Sequence, residues 1–204
     1  AEPTLLSSEN GDARTLNAVI VMDVSRSMLA EDGPGGVPRL EAGITAVEKL
    51  LEAYPDGRFG LVLYTNVVVA YSPTFDHEAL GEILGDIREN YQVRGEGSDP
   101  ITALSETGKM IEELPYTVDT VFLISDGGKS LSPEATEPPL AMAMKKLRDK
   151  GVRIIAVGVG GLIPTPIPVY ADDGALVGYH QYESMVVYTA LDEIPLKRFA
   201  DETG

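Results

Sequence analysis

Asp23-Val24-Ser25-Arg26-Ser27 places a carboxylate and two hydroxyls at alternate positions, directly after the apolar run Asn17–Met22. Alternate residues of an extended turn project to one side, so these three oxygen-bearing side chains can converge. A second carboxylate, Asp126, follows another apolar run, Thr120–Ile124, within Ser125-Asp126-Gly127. Carboxylates with hydroxyls are hard ligands without sulfur or imidazole, a set that suits Mg²⁺, Mn²⁺ or Ca²⁺ and not zinc. Mg²⁺ retains waters, so a set this small leaves coordination positions open, and an open position accepts a partner's carboxylate. Taken singly, the same residues are ordinary turn formers, and Asp126 before Gly127-Gly128 reads as a turn residue.

The elements that must position these groups follow from apolar periodicity. Asn17–Met22, Phe59–Tyr64, Thr120–Ile124 and Val152–Val157 are short continuous apolar runs, as in strands buried on both faces. Leu40, Ile44, Val47 and Leu51 form one helical stripe, ended by Pro55-Asp56-Gly57. Thr65-Asn66 is a tight turn into Val67–Tyr71, which makes that run an antiparallel edge strand. Asp76 N-caps a helix through Leu80, Ile83, Leu84 and Ile87, and Ile101–Leu114 lies between Pro100 and Pro115. Leu140, Ala143, Met144 and Leu147 mark a helix ending at Gly151, and a last helix spans roughly Asp192 to Glu202. The order β-α-β-β-α-α-β-α-β predicts an α/β fold: a doubly wound, mostly parallel, Rossmann-like sheet with helices on both faces and one antiparallel edge strand. Asp23 and Asp126 then sit at strand carboxyl ends, where such sheets bind ligands.

Gly161–Tyr188 departs from the alternation. Pro164, Pro166 and Pro168, then Asp172-Asp173-Gly174, predict a proline-rich excursion followed by a β-hairpin, an insertion in one domain spanning 1–204. Tyr179, Tyr182, Tyr188, Met185 and Val186-Val187 within it read as hairpin packing, with a binding face as the alternative.

Composition limits the function. Against 16 Lys and Arg stand 32 Asp and Glu, a formal net charge of -16, which repels phosphates and argues against nucleic-acid binding. With 0 Cys there are no disulfides, thiol catalysis or thiolate-bound metals. His77 and His180, the 2 histidines, are placed by default at the surface. No apolar run approaches the roughly 20 residues of a membrane helix. The chain starts at Ala1 without an initiator Met, as expected of an excised or processed piece.

Asp-x-Ser-x-Ser at Asp23, Ser25 and Ser27, with Ser125-Asp126-Gly127, resembles the metal-ion-dependent adhesion site of von Willebrand factor type A (VWA) domains. The resemblance implies a further hydroxyl ligand from a Gly-Thr loop. Gly97-Ser98-Asp99 stands there, with Ser98 in place of Thr, so the implied metal set is Asp23, Ser25, Ser27, Ser98 and Asp126. Ser27-Met28-Leu29-Ala30-Glu31-Asp32, Pro38-Arg39-Leu40-Glu41-Ala42, Tyr71-Ser72-Pro73, Val157-Gly158-Val159-Gly160 and Leu191-Asp192-Glu193 are similar to Bat (aerotolerance-type) membrane proteins. That resemblance implies a membrane-associated adaptor, tethered by segments outside this chain and working with a MoxR-type AAA+ ATPase and other Bat proteins. It also implies an edge strand after the last helix, which Gly204 precedes. The expected function is a Mg²⁺-dependent protein-interaction module whose partner supplies an acidic residue; catalysis is not expected.

Competing readings have their own residues. A Mg²⁺-dependent phosphohydrolase with Asp23 as nucleophile requires a second Asp two residues on, where Ser25 stands. Gly158-Val159-Gly160-Gly161 follows a strand as a dinucleotide loop would, but Pro164, Pro166 and Pro168 forbid the helix such a loop needs. Asp99 reads first as an N-cap and second as a neighbour of the metal through water, Glu31 and Asp32 as solvated loop acids, and Arg26 and Lys129 first as surface charges and second as a grip on a partner's acidic group.

Overall fold

Four parallel strands and one antiparallel edge strand make the central sheet: β1 (Asn17–Asp23), β2 (Arg58–Tyr64), β3 (Val68–Thr74), β4 (Thr120–Ser125) and β5 (Arg153–Gly158). This computed structural model describes residues 15–90, 97–128 and 133–203. The strand order is β3-β2-β1-β4-β5, so the chain reverses its direction of growth between β1 and β4. Parallel register sets Met22 opposite both Leu63 and Ile124, and the carboxyl ends of β1 and β4 therefore lie side by side. β3 returns beside β2 after the Thr65–Val67 turn, which the Thr65 amide closes on the Val67 carbonyl at 2.9 Å.

The described residues form five α-helices, α1 (Arg39–Ala53), α2 (His77–Asn90), α3 (Pro100–Glu113), α4 (Pro133–Asp149) and α5 (Glu193–Thr203). They divide between the two faces according to the strands' two-residue period. Ala18, Ile20 and Met22 of β1, with Phe59, Leu61 and Leu63 of β2, pack against Leu40, Ile44, Val47 and Leu51 of α1 and Leu80, Leu84 and Ile87 of α2. Val19 and Val21, with Val62, Val121 and Leu123, pack against Ala103 and Leu104 of α3, Met144 and Leu147 of α4, and Leu196 and Phe199 of α5. Each strand of the centre is thus apolar on both faces, which is why its sequence shows a continuous run. This is the doubly wound, Rossmann-like arrangement expected from the sequence.

Two helix starts follow from local chemistry. Asp76 Oδ1 accepts the Ala79 amide at 3.0 Å ahead of α2. Asp99 Oδ1 accepts the Thr102 amide at 3.0 Å ahead of α3, with Pro100 in the first turn. A short 3₁₀ turn, Arg26–Leu29, leads from the end of β1 towards α1.

Between β5 and α5 the chain forms three antiparallel two-stranded ladders outside the main sheet. β6 (Thr165–Pro166) pairs with β11 (Tyr188–Thr189), β7 (Pro168–Tyr170) with β8 (Leu176–Tyr179), and β9 (Gln181–Tyr182) with β10 (Met185–Val186). The β7–β8 hairpin turns at Asp172-Asp173-Gly174, where Gly174 has φ +81°. A second hairpin, not foreseen from sequence, turns at Glu183 and Ser184, with φ of 48° and 66°. Neither residue is Gly or Asn, so composition carried no signal for it. Tyr182, Met185 and Tyr188 face solvent, more than 60% exposed, and the expectation that they pack inside the hairpin is corrected. Ladders of two residues have too little covering mass to bury both of their faces.

Candidate functional site

The carboxyl ends of β1 and β4 bring together side chains that lie about a hundred residues apart in sequence. Asp23 ends β1 and is 2% exposed. Its Oδ1 accepts the Ser25 amide at 2.8 Å, a local turn that swings the chain so that Ser25 and Ser27 follow on the same side. The Ser25 and Ser27 hydroxyl oxygens are 3.2 Å apart. Asp23 Oδ2 accepts the Ser98 hydroxyl at 3.3 Å and the Ser125 hydroxyl at 3.1 Å. Ser98 reaches this point because the Asp99 amide donates to the Thr65 carbonyl at 2.8 Å, tying the loop before α3 to the end of β2.

Asp126 is 1% exposed and stands beyond β4, with Oδ1 accepting the Gly128 amide at 3.2 Å. Its backbone carbonyl accepts the Asp192 amide at 2.8 Å, which docks the start of α5. Gly127 has φ +72°, and a Cβ there would fall 2.0 Å from the Asp192 carbonyl oxygen; only glycine allows this approach. Burial raises the Asp23 pKa to about 6, and the neighbouring Asp126 charge adds to the shift. Two buried carboxylates at this separation favour a positive occupant.

Sequence reasoning overlooked the cation that is already there. Arg39, at the start of α1, is fully buried. Its Nη1 donates to Asp126 Oδ2 at 2.7 Å and to the Thr189 hydroxyl at 3.2 Å. Nε and Nη2 grip Asp32 at 2.6 and 2.7 Å, and Nη2 also donates to the Thr189 carbonyl at 3.2 Å. Asp32 Oδ2 accepts the Gly161 amide at 3.0 Å. Asp32 is therefore not a solvated loop acid: burial opposes its charge, yet Arg39 and the Gly161 amide hold its carboxyl below the usual range. Burial likewise opposes the Arg39 charge, and Asp32 and Asp126 together more than offset it. The signals available were its place in the Bat-like segment Pro38–Ala42 and its position immediately before Leu40, the first residue of the apolar stripe.

Other expectations are corrected in the same region. Arg26 is half-buried and its Nη1 lies 2.9 Å from His180 Nδ1, joining the Asp23–Ser27 turn to the insertion. His77 is not a free surface group either, with Nε2 2.8 Å from the Gly57 carbonyl and its ring edge-on to Phe59. Lys129 lies outside the described residues. Tyr64, at the end of β2, is fully buried, and its hydroxyl has no hydrogen-bond partner among the described residues. Burial pushes the Tyr64 hydroxyl well above its ordinary value, with the Asp23 charge adding to the effect.

The donor set fits a hard divalent cation. Asp23 and the Ser25, Ser27 and Ser98 hydroxyls gather at one strand end within the field of Asp126, the Tyr64 hydroxyl has no hydrogen-bond partner among the described residues, and no imidazole or sulfur competes. Among the described residues no group of three or more His, Cys, Asp or Glu is gathered for a metal, as expected where hydroxyls replace carboxylates.

The profile of the von Willebrand factor type A domain family matches residues 18–129, from the second residue of β1 past Asp126. The chain belongs to that family. No curated protein sequence matches the chain significantly. Among solved structures, the VWA domain is similar to BatB from Bacteroides thetaiotaomicron, at 22% identity over 92% of this chain and 86% of that one, with a TM-score of 0.76. It is similar also to an aerotolerance-related membrane protein from Bacteroides fragilis, at 22% identity over 92% and 88%, with a TM-score of 0.77. A more distant likeness is to manganese-loaded TRAP from Plasmodium vivax, at 16% identity over 72% and 57%, with a TM-score of 0.54. At these identities the likeness is one of fold. No helix among the described residues of the VWA domain is long and apolar enough to cross a membrane.

Proposed function

We propose that this VWA domain is an ion-dependent protein-interaction module, in which Asp23, Ser25, Ser27, Ser98 and Asp126 hold a divalent cation, Mg²⁺ by preference. A bound cation supplies a Lewis-acidic position that a partner's carboxylate completes. The observation that carries the reading is the Asp23 carboxylate at the switch point of the sheet, bonded to the Ser25 amide and the Ser98 hydroxyl, with Ser27 against Ser25 and the Asp126 charge acting on Asp23. Asp23 contributes negative charge that burial makes unfavourable without a counter-ion. Ser25, Ser27 and Ser98 contribute neutral oxygens, which leave a cation's charge uncompensated and available to an anionic partner. Fixed amides orient the carboxylates: Ser25 N on Asp23 and Gly128 N on Asp126. The module is not catalytic in this reading, because Ser25 stands where an aspartyl-nucleophile phosphatase would place its second acid.

The fold likeness to BatB and to an aerotolerance-related membrane protein supports a wider setting for the module. In that setting it is the extramembrane part of a membrane-tethered adaptor, and its protein partners include a MoxR-type AAA+ ATPase and other Bat proteins. Calorimetric titration with Mg²⁺ and Mn²⁺ tests the core of the reading. The wild-type domain should bind, Asp23→Ala and Asp126→Ala should lose binding, and Ser98→Ala should weaken it less, because water replaces a neutral hydroxyl more readily than a charged ligand. Equal binding by wild type and both Asp variants would refute the assigned site.

A further inference from the structure

We propose that Arg39 sets the charge of the cation site, holding Asp126 by one oxygen and thereby keeping a bound ion electropositive towards a partner's carboxylate. This rests on the ion-dependent reading above and concerns a residue outside the ligand set.

The geometry is specific. Asp126 Oδ2 is taken by Arg39 Nη1 at 2.7 Å, whereas Oδ1 accepts the Gly128 amide at 3.2 Å. The guanidinium cannot swing away, because Asp32 holds Nε and Nη2 as a fork and Thr189 holds the remaining donors. A Cβ at Gly160 would fall 2.4 Å from Arg39 Nε, so the backbone of the insertion closes the pocket from the other side. Asp23, Asp126, Asp32 and Arg39 sum to two negative charges, so a divalent ion among them leaves the cluster neutral. Without Arg39 the three carboxylates would outweigh the ion, binding it more tightly and leaving it less attractive to a carboxylate. Asp32 lies on the far side of the guanidinium and tempers its field.

The arrangement makes an ordered claim that packing alone does not. Arg39→Gln should bind Mn²⁺ roughly tenfold or more tightly than wild type, since a buried positive charge beside the site is removed. Asp32→Asn, which leaves Arg39 less compensated, should bind Mn²⁺ several-fold more weakly. Arg39→Lys keeps the charge and should stay within about threefold of wild type. Free Mn²⁺ measured by electron paramagnetic resonance gives all three affinities. Millimolar acetate, read as the loss of water-proton relaxivity from bound Mn²⁺, should displace water readily in wild type and poorly in Arg39→Gln.

A purely structural role for Arg39 predicts weaker Mn²⁺ binding in Arg39→Gln, and that result would overturn the inference. So would an Asp32→Asn variant that binds as tightly as wild type or more tightly. Should Arg39→Gln fail to fold with or without Mn²⁺, Asp32→Asn and Arg39→Lys still decide the charge dependence. Wild-type protein that binds no Mn²⁺ would remove the ion-dependent reading itself, and this inference with it. Wild-type binding that Asp23→Ala abolishes, combined with affinities indifferent to Arg39 and Asp32, would remove the inference alone.

Discussion

At neutral pH Asp23 carries a charge where burial and Asp126 both disfavour it, and the shift to about 6 gives that strain a measurable form. Relative to an unfolded carboxyl at 3.8, a shift of this size costs the ion-free fold about 3 kcal/mol at pH 7. The sign follows from the raised value. The folded state binds the proton more strongly, so this group's stabilising effect is complete below about 4 and disappears as pH rises through about 6. Asp32 works in the opposite sense, but its lowered value confines its loss of stability to pH below the ordinary carboxyl range. In EDTA, therefore, wild-type protein should melt several degrees higher at pH 5 than at pH 7. Asp23→Asn should be flatter over that range and more stable at pH 7. Asn retains an acceptor for the Ser25 amide, and the Ser98 and Ser125 hydroxyls can reverse to accept its NH₂ group. A thermal melt of Asp23→Asn at pH 7 lower than that of wild type would contradict the assignment of strain to this carboxylate.

Among the elements, the main sheet and the ladders of the insertion differ in how their backbone bonds are protected. β4 lies between β1 and β5, and Val121 and Leu123 have no exposed surface. The Leu162–Val169 segment has Pro164, Pro166 and Pro168 without amides, and its ladder partners are short, β11 of two residues and β8 of four. Leu162 and Ile163 lie 69% and 79% exposed. Amide exchange across Leu162–Val169 should therefore be orders of magnitude faster than across Val121–Ile124, with mass spectrometry after pepsin digestion as the measurement. Protection equal to that of β4 would mean a covering surface has formed over the insertion. Its anchors are different in kind: Thr189 and Gly161 are tied through Arg39 and Asp32, and the Leu191 amide donates to the Gly161 carbonyl at 2.8 Å. Both ends of the insertion are therefore fixed beside Asp126, while its ladders extend towards solvent.

For the molecule as a whole, the net charge of -16 is the dominant long-range term. Like charges at this density repel one another in the compact state, and added salt shortens the range from about 30 Å at 0.01 M to about 8 Å at physiological strength. In EDTA the melting temperature should rise as NaCl increases from 0.01 to 0.15 M (both roughly chosen to span that range). A flat response would show that local pairs such as Arg88 with Glu41 and Glu48 already balance the surface field. A carboxylate-bearing partner meets the same repulsion until it reaches the cation position, so its association should be steered by salt while the seated contact is screened far less.

Much of this was written locally. The five apolar runs, their separation by helical stripes and the turn formed by Asp23-x-Ser-x-Ser each depend on residues a few positions apart, and the fold follows their spacing. Asp76 and Asp99 cap helices for the same reason, through bonds three residues long. The placement of Asp23 and Asp126 at adjoining strand ends was legible because parallel strands must begin and end together. Arg39 was not legible. A buried arginine is the exception for its type, and no periodicity marks it. Its burial depends on Asp32, Asp126 and Thr189, separated from it by 7, 87 and 150 positions, meeting within one hydrogen-bonded cluster. The pairing of Arg26 with His180 and the exposure of Tyr182 and Tyr188 are of the same kind. Local sequence determined which elements form and which oxygens end the strands; only the packing of the insertion against the site decided that a guanidinium would lie beside those oxygens.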